Sequence, residues 1–443
     1  MTEPTPTRRV TFIAPFAEAP KATTSARIIP LARAVARRGY HVSVIVPPYD
    51  NPAEGGRDRV DGGVRVLTLD VPGTVAENSP WQAVAQPLLA ARVARAALAL
   101  RPDVVHVSKP KAVSGLAHAI IAGLRHLRGS ASPAVVVDTD DWEGDGGWNE
   151  YETYPWWQRA VVNAQEWWGI GAADAVTTAS RTLEAQAWSR GQPGSRTWYL
   201  PNGLDDADYP GWWTPGVADV PSASDRTAAR RRLGLADVPL VLLYTRFFEF
   251  APPRALATIR AIRDRVPGAN LLVVGAGKFG QERTLLELAR ASGDANAITI
   301  AGWQAPADLP ALLCAADMAV AFADDNLANR AKCSVKLLQL MRLGLPVVAD
   351  ATGEQSSYLG TTGDSVTDAP PGILVPAGDV AAMAEAAASL LRDPIRREAI
   401  GRAAARRARD HFGWDALAPA AIAAHDAALT RRDDTTRPSP RRA

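Results

Sequence analysis

Residues 239–277 read PLVLLYTRFFEFAPPRALATIRAIRDRVPGANLLVVGAG. The stretch opens on a continuous apolar run, PLVLLYT (239–245), and ends on a second one, NLLVVG (270–275). Runs without polar alternation suit strands buried on both faces, as in parallel sheets covered by helices. Downstream the theme recurs in AITIAG (297–302), MAVAFA (318–323), PVVAD (346–350) and GILVP (372–376). Upstream it is present in RRVTFIAP (8–15), HVSVIV (41–46), VRVLTL (64–69), VVHVS (104–108), AVVVD (134–138), AVTTA (175–179) and TWYL (197–200). Helices separate most of these runs; one spans about 25–38, with Ile28, Leu31, Ala32 and Val35 on one face and Gly39 at its end. Alternating strands and helices of this kind predict an α/β architecture.

The alternation stops once, between about 206 and 238, where DADYPGWWTPGVADVPSASD shows no helical period and carries Pro210, Pro215 and Pro221. The reading is two doubly wound Rossmann-like domains facing across a cleft. The first covers 9–205 and the second 239–412, joined by a linker at 206–238. A final helix, 413–429, is expected to cross back to the first domain, and the polar ends, 1–8 and 430–443, are expected to be disordered. At 443 residues the chain is long enough for two such domains. Ligands of open parallel sheets bind outside the carboxyl ends of the strands, so function is expected there.

Bulk charge excludes little but says something. Lys+Arg 49 against Asp+Glu 47 leaves +2, and no basic patch with interleaved aromatics stands out, so no nucleic-acid partner is expected. The two cysteines, Cys314 and Cys333, have neither metal-ligand nor disulfide spacing. No run reaches the roughly 18 apolar residues of a membrane span. The protein is expected to be cytoplasmic, with at most peripheral contact at the inner face of a membrane.

Several strand ends carry chemistry. Gly275-Ala-Gly277-Lys-Phe-Gly280 is a GxGxxG between a strand and a helix, the pattern of a dinucleotide site. It follows the second strand of its domain, and the next strand, ITIAGW, does not end on the acidic residue that would hold a ribose. A phosphate- or sugar-approaching turn and a purely structural turn both remain open. Further on, a helix starting near Ser334 carries Lys336 in its first turn, where lysine and helix amides make an anion site. Arg246, at the end of LLYTR, converges on the same strand ends. Two such cations suit a diphosphate leaving group, because its negative charge grows as the bond breaks. In the first domain, Asp138-Thr139-Asp140-Asp141 ends a strand. By itself it reads as a structural cap or a metal ligand. Lys109, at the neighbouring strand end, faces the same space, whereas His106 reads as a core residue.

Taken together, YLPNGLD (199–205), YTR (244–246), LLVVGAG (271–277), ITIAGW (298–303), SVKLLQLMRLGLPVVA (334–349) and GILVPAGD (372–379) resemble, in order and spacing, the retaining GT-B glycosyltransferases of the large group 1 family. The resemblance implies a nucleotide-diphosphate sugar as donor, gripped in the second domain by Arg246, Lys336 and, as substitutes for a second cation, Arg330 and Lys332; Arg254 matches that cation's usual place only loosely. It further implies Gly275, Gly277 and Trp303 along the donor site. The family's two glutamates fall at Ala331 and Gln339 here, and Gln339 retains a side chain able to hydrogen-bond a ribose hydroxyl. The resemblance also implies that Asp140 or Asp141 orients an acceptor hydroxyl, a reading preferred to the cap and the metal ligand, and makes Lys109, Asp140, Asp141 and Trp148 the acceptor-side candidates. Asp140, Asp141, Arg246 and Lys336 are the catalytic ones. The acceptor is a glycan, a lipid-linked group or a small molecule, and neither a metal nor another cofactor is implied. The rival readings are a catalytically silent GT-B nucleotide- or carbohydrate-binding protein and, less favoured, an NAD(P)-dependent dehydrogenase.

One stretch is unusual in any reading. WEGDGGWNEYETYPWWQRAVVNAQEWW (142–168) holds six of the 13 tryptophans. Pro155 is expected to open a helix with Trp156, Trp157, Trp167 and Trp168 on one face, as core or as an exposed ledge. The preceding GDGGW loop is expected to use its glycines for mobility or close approach and to offer Trp148 for stacking on a sugar.

Overall fold

The computed structural model describes residues 8–71, 81–128, 132–213, 223–360 and 369–436. The chain divides into two compact units: residues 1–203, 331–333 and 414–443 form the first, and residues 204–330 and 334–413 the second.

The described residues of unit 1 form eight strands: β1 (Arg9–Ile13), β2 (His41–Val46), β3 (Arg57–Asp61), β4 (Val64–Thr68), β5 (Val104–Ser108), β6 (Ala134–Thr139), β7 (Ala175–Thr178) and β8 (Thr197–Tyr199). Their order is β3-β4-β2-β1-β5-β6-β7-β8. All neighbours are parallel except β3–β4. That antiparallel edge pair turns through Gly62 and Gly63, whose φ values of 56° and 85° suit a tight hairpin. Strand β3, RDRVD, has no apolar run because it is an exposed edge, and the hydrophobic pattern gave no sign of it.

The parallel strands alternate their side chains between two cores. Val10, Phe12, Val104, Ala134 and Val136 face one cluster. Ile13, Val105, Val107, Val135 and Val137 face the other. Helix α1 (Ile29–Ala36) covers the first face, while α2 (Gln82–Ala99), α3 (Ala112–Arg128) and α4 (Trp156–Ala172) lie on the second, and α5 (Arg181–Ser189) packs on β7 and β8. The last helix of the chain, Trp414–Thr436, joins α1 on the first face through Trp414, Ala418, Ala421, Ala424 and Ala428. Spacing of three and four residues puts these on one stripe, and their small size lets the helix approach the sheet closely. Residues 430–436, expected as disordered tail, are the end of this helix. The tails 1–7 and 437–443 lie outside the described residues.

The tryptophan helix begins at Trp156, directly after Pro155. Its inner face is Val162, Glu166, Gly169 and Ile170. Trp156 is 82% exposed, and Trp167 and Trp168 are also exposed, so the stripe is a ledge and not core.

The described residues of unit 2 form six strands, all parallel: β9 (Leu240–Tyr244), β10 (Asn270–Val274), β11 (Ile298–Gly302), β12 (Met318–Ala321), β13 (Val347–Asp350) and β14 (Ile373–Val375), ordered β11-β10-β9-β12-β13-β14. Its helices are α6 (Ala223–Arg232), α7 (Pro252–Arg265), α8 (Gln281–Ala291), α9 (Leu309–Cys314), α10 (Leu327–Ala331), α11 (Val335–Arg342), α12 (Glu354–Leu359), α13 (Val380–Arg392) and α14 (Pro394–His411); the chain's last helix is α15. The segment expected as a linker belongs to unit 2 and contains α6. There Arg230 pairs with Asp317 at 2.7 Å, so a charged helix with no apolar stripe is held by ion pairs instead. Ahead of it, the rings of Tyr209, Trp212 and Trp213 pack against one another, edge-on or tilted.

In both sheets the strand order reverses direction at the first strand of the unit, between β1 and β5 and between β9 and β12. Those are the topological switch points where doubly wound sheets bind ligands.

Candidate functional site

In unit 1 the switch point is marked by Lys109, the residue after β5. Its φ is +55°, a left-handed conformation that costs a non-glycine residue free energy. The turn is held by the Ser114 hydroxyl, which donates to the carbonyls of Lys109 (2.6 Å) and Lys111 (2.9 Å). So aimed, the Lys109 ammonium pairs with Asp141 Oδ2 (2.5 Å), Glu143 Oε1 (2.9 Å) and Asp140 Oδ1 (3.1 Å). Lys111 pairs with the other Glu143 oxygen at 2.6 Å. Lys109, expected to face an acceptor, is instead 5% exposed and covered by carboxylates. Asp140 is buried and Asp141 half-buried, so Asp141 is the carboxylate of the pair that reaches solvent.

Ionisation follows from this geometry. Burial pushes the Asp140 carboxyl up to about 7, only partly offset by Lys109. For Glu143 burial acts in the same direction, but the two lysines outweigh it and bring the carboxyl down to about 2. Burial opposes the charge on Lys109 as well, yet its three carboxylate partners hold it well above the usual lysine range.

The loop after Asp141 is tied to α4. Glu166 accepts from the Glu143 amide (2.7 Å) and Asn163 from the Asp145 amide (2.7 Å). A Cβ on Gly144 would lie 2.5 Å from Asn163 Oδ1, and one on Gly147 would lie 2.0 Å from the Trp142 carbonyl. These glycines serve close approach. Trp148, half-buried, has the Lys332 ammonium 5.8 Å from its ring centre. Lys332, a donor-side candidate, therefore lies beside an acceptor-side one, and residues 331–333 belong to unit 1.

Beneath the loop is a network that the sequence did not announce. Arg27 makes a two-pronged pair with Asp138 (2.8 and 2.6 Å) and also donates to Asn202 Oδ1 (3.0 Å) and the Leu200 carbonyl (2.9 Å). Asn202 in turn donates to the Cys333 carbonyl at 2.7 Å. His106 does lie in the core, 3.0 Å from His425.

In unit 2, Arg246 is exposed just beyond β9, with Phe248 5.4 Å from its guanidinium. Lys336, in the first turn of α11, sits 5.4 Å from the Tyr244 ring at the end of the same strand. Ser334 caps α11 through the Leu337 amide. Gln339, one turn after Lys336, is buried and hydrogen-bonded to the Tyr209 hydroxyl, while its carbonyl oxygen Oε1 has no hydrogen-bond partner among the described residues. Tyr209 and Tyr244 thus join the candidates; Tyr209 lay in a stretch with no periodic signal.

The glycine turn behaves differently from a phosphate cradle. A Cβ on Gly275, at φ +114°, would lie 1.9 Å from the Thr245 carbonyl. The Gly277 amide is already taken by Glu282 (2.9 Å), and the Phe279 amide by Gln281 (3.0 Å). Arg254 is committed to Asp350 (2.6 Å) and Asp324 (3.1 Å), and Arg330 to Asp325 (2.5 and 2.7 Å). Trp303, 74% exposed, stands at the end of β11.

Two family models match the chain: a glycosyl transferase 4-like domain over residues 24–203 and glycosyl transferases group 1 over residues 249–393. The chain belongs to the group 1 glycosyltransferases. Among its relatives in this family is the GDP-mannose-dependent alpha-(1-6)-phosphatidylinositol monomannoside mannosyltransferase of Mycobacterium tuberculosis, 30% identical over 270 residues, 60% of this chain and 63% of that protein. The match thus spans about three fifths of that relative's length. The D-inositol 3-phosphate glycosyltransferase of Salinispora tropica is 28% identical over 88% of this chain and 84% of its own. Among solved structures, sucrose-phosphate synthase from Thermosynechococcus elongatus superposes with a TM-score of 0.66 at 21% identity, covering 93% of this chain and 96% of that one. The fold of this group 1 chain is therefore GT-B.

Proposed function

We propose that this group 1 chain is a glycosyltransferase that moves a hexose-like sugar from a nucleotide-diphosphate donor to an acceptor hydroxyl, with retention. The observation that carries this reading is the group around Gln339. A buried amide oxygen without a hydrogen-bond partner, one helical turn from Lys336 and beside the strand end that leads to Arg246, suits a nucleotide. The amide oxygen accepts from a ribose hydroxyl, while the two cations meet the diphosphate. Gly277 contributes less, since its amide is occupied.

On the acceptor side, Asp141 accepts a hydrogen bond from the acceptor hydroxyl and Trp148 offers a face for a sugar. The named donor of the mycobacterial relative, GDP-mannose, supports a nucleotide sugar, and the acceptors named for relatives support a small polyol or a lipid-linked glycan. Retention follows the resemblance to the retaining branch. The reaction is read as metal-independent because the Lys109 ammonium already supplies the positive charge among Asp140, Asp141 and Glu143. Among the described residues no helix is long and apolar enough to cross a membrane. A cytoplasmic site, with peripheral contact at the inner membrane face, accords with soluble donors and lipid-linked acceptors.

Thermal shift with UDP, GDP, dTDP and ADP identifies the base, because tight binding raises the melting temperature by mass action. The matching nucleotide sugars then test turnover. Lys336→Ala and Arg246→Ala are each expected to lower donor turnover at least tenfold, about 1.4 kcal/mol of transition-state stabilisation. Unchanged rates in both variants remove the cation assignment. Nucleotide binding with no release from any nucleotide sugar, even with cell extract as acceptor source, identifies a silent binding protein.

A further inference from the structure

The Lys109 cluster contains an imbalance that the transfer reaction alone does not explain. Fully ionised, Asp140, Asp141 and Glu143 bring three negative charges against two positive ones from Lys109 and Lys111. The adjoining Arg27–Asp138 pair is neutral and adds nothing. A net buried charge of this kind is costly, and one proton relieves it. The hydrogen-bond pattern says where the proton goes. Glu143 has a lysine on each oxygen, and Asp141 has the shortest contact to Lys109. Asp140 Oδ1 lies 3.1 Å from the ammonium but accepts no aligned hydrogen bond from any described residue.

We propose that Lys109 is a positioning residue for the acceptor hydroxyl: its ammonium is divided among Asp140, Asp141 and Glu143, and one proton on Asp140 decides how strongly it engages Asp141. This rests on the acceptor-side reading of Asp141 given above. An ammonium has three N–H donors, and here there are three carboxylates to receive them. With Asp140 protonated, Lys109 serves Asp141 and Glu143 alone and occupies the Asp141 oxygen that would receive a hydroxyl. When Asp140 ionises, the ammonium is drawn toward it and Asp141 becomes the better hydrogen-bond acceptor.

Other observations agree. Lys109 keeps a strained left-handed backbone where glycine would be relaxed, so the side chain and not the turn is what this position requires. Burial places the Asp140 carboxyl near 7, within reach of ordinary pH. The remaining groups around the cluster do not reverse the argument. Arg27 lowers Asp140 and Asp138 raises it, both less than Lys109 does. From α4, Glu166 faces Glu143 through that residue's amide and is itself pushed up by burial to about 7. Tyr154 lies against Lys111, and Tyr49 is half-buried beside Asp50, with desolvation raising both phenols above their usual range.

The test is infrared titration of the intact protein carrying carboxyl-labelled aspartate, whose isotope shift separates aspartic from glutamic carboxyl bands and so removes Glu166. A protonated aspartic band should titrate near pH 7 in the wild type and vanish in Asp140→Asn. In Lys109→Met its midpoint should rise by at least one pH unit, because the lost cation favours the protonated form. In Lys109→Arg it should stay within half a unit. Transfer kcat, with donor KM unchanged, should rise with pH through the same midpoint, and its limb should move with the band in Lys109→Met. No aspartic band between pH 6 and 8, a band that survives Asp140→Asn, or a midpoint unmoved by Lys109→Met overturns the proposal. If Lys109→Met does not fold, a shift above one unit in Lys109→Arg overturns it and a shift below half a unit supports it. The spectra need no substrate, so a failed transferase reading leaves them intact, and a failed titration leaves nucleotide release untouched.

Discussion

Arg27 is the side chain whose removal should do most damage. It is 1% exposed and Asp138 is 0% exposed, so the pair is shielded from solvent screening. Substitution by methionine keeps most of the volume but deletes four hydrogen bonds: two to Asp138 and one each to Asn202 and the Leu200 carbonyl. Among the described residues Asp138 keeps only the Thr177 hydroxyl, at 2.7 Å, as a side-chain hydrogen-bond partner. A buried carboxylate stripped of its counter-ion costs roughly 3–5 kcal/mol, well above the value of the contacts counted singly. The sign of the pH dependence follows. Burial alone would raise Asp138, and Arg27 is the chief reason it is held below the ordinary carboxylate range. In Arg27→Met that value climbs above the unfolded one, so the variant loses stability as pH rises, and the deficit is larger at pH 8 than at pH 5. Arg27→Met/Asp138→Asn removes the stranded charge and should recover at least about half of the loss. Urea unfolding followed by circular dichroism and tryptophan fluorescence measures this, with a global fit that allows the two units separate transitions. A cost below about 1 kcal/mol at pH 8, or a double variant no better than the single, would refute the buried-pair argument.

Other outcomes follow from single features. Gly275→Ala should destabilise unit 2 by at least about 2 kcal/mol in the same assay, since its Cβ meets the Thr245 carbonyl at 1.9 Å and φ is +114°; a neutral result would mean that the turn relaxes. His106 is held down to about 4 by burial, from 6.5, so its contribution is present above pH 6.5 and lost as pH falls toward 4. The stability advantage of wild type over His106→Gln should therefore shrink by roughly 3 kcal/mol from pH 7 to pH 4, and a constant difference would contradict the neutral buried ring. Trp156→Ser/Trp167→Ser should change stability by under about 1 kcal/mol, because both indoles are exposed; a larger loss would place the ledge in contact with more structure than α4 shows.

Much of the fold was legible because burial on both faces writes itself as continuous apolar strands, from VTFI to LLVV. What was missed has the opposite composition. Strand β3 is an exposed polar edge, and α6 is held to unit 2 by Arg230 and Asp317 instead of by an apolar stripe. The candidate site was legible in position only, with Lys109, Asp140, Asp141 and Arg246 just beyond strand ends and Lys336 in the first turn of a helix. Its supporting partners were not. Arg27 meets Asp138 across 111 residues and Asn202 across 175, and such long-range pairing leaves no local pattern. Local reading also assigned Lys109 outward, because sequence shows a lysine near two aspartates but not which of them is outermost.

The packing of α15 gives the chain an order of assembly. During synthesis the strands of unit 1 are complete by about residue 199, but Trp414 and the alanine stripe that closes one face of their sheet emerge only after all of unit 2. Until then Val10, Phe12, Val104 and Val136 lack part of their cover, and Arg27 lacks the Trp414 ring 5.7 Å from its guanidinium. Unit 2, interrupted in sequence only by 331–333, can close first. The amino-terminal half of the nascent chain is thus the last to finish, and a chain that ends between about residues 199 and 414 leaves one apolar face of that sheet partly uncovered.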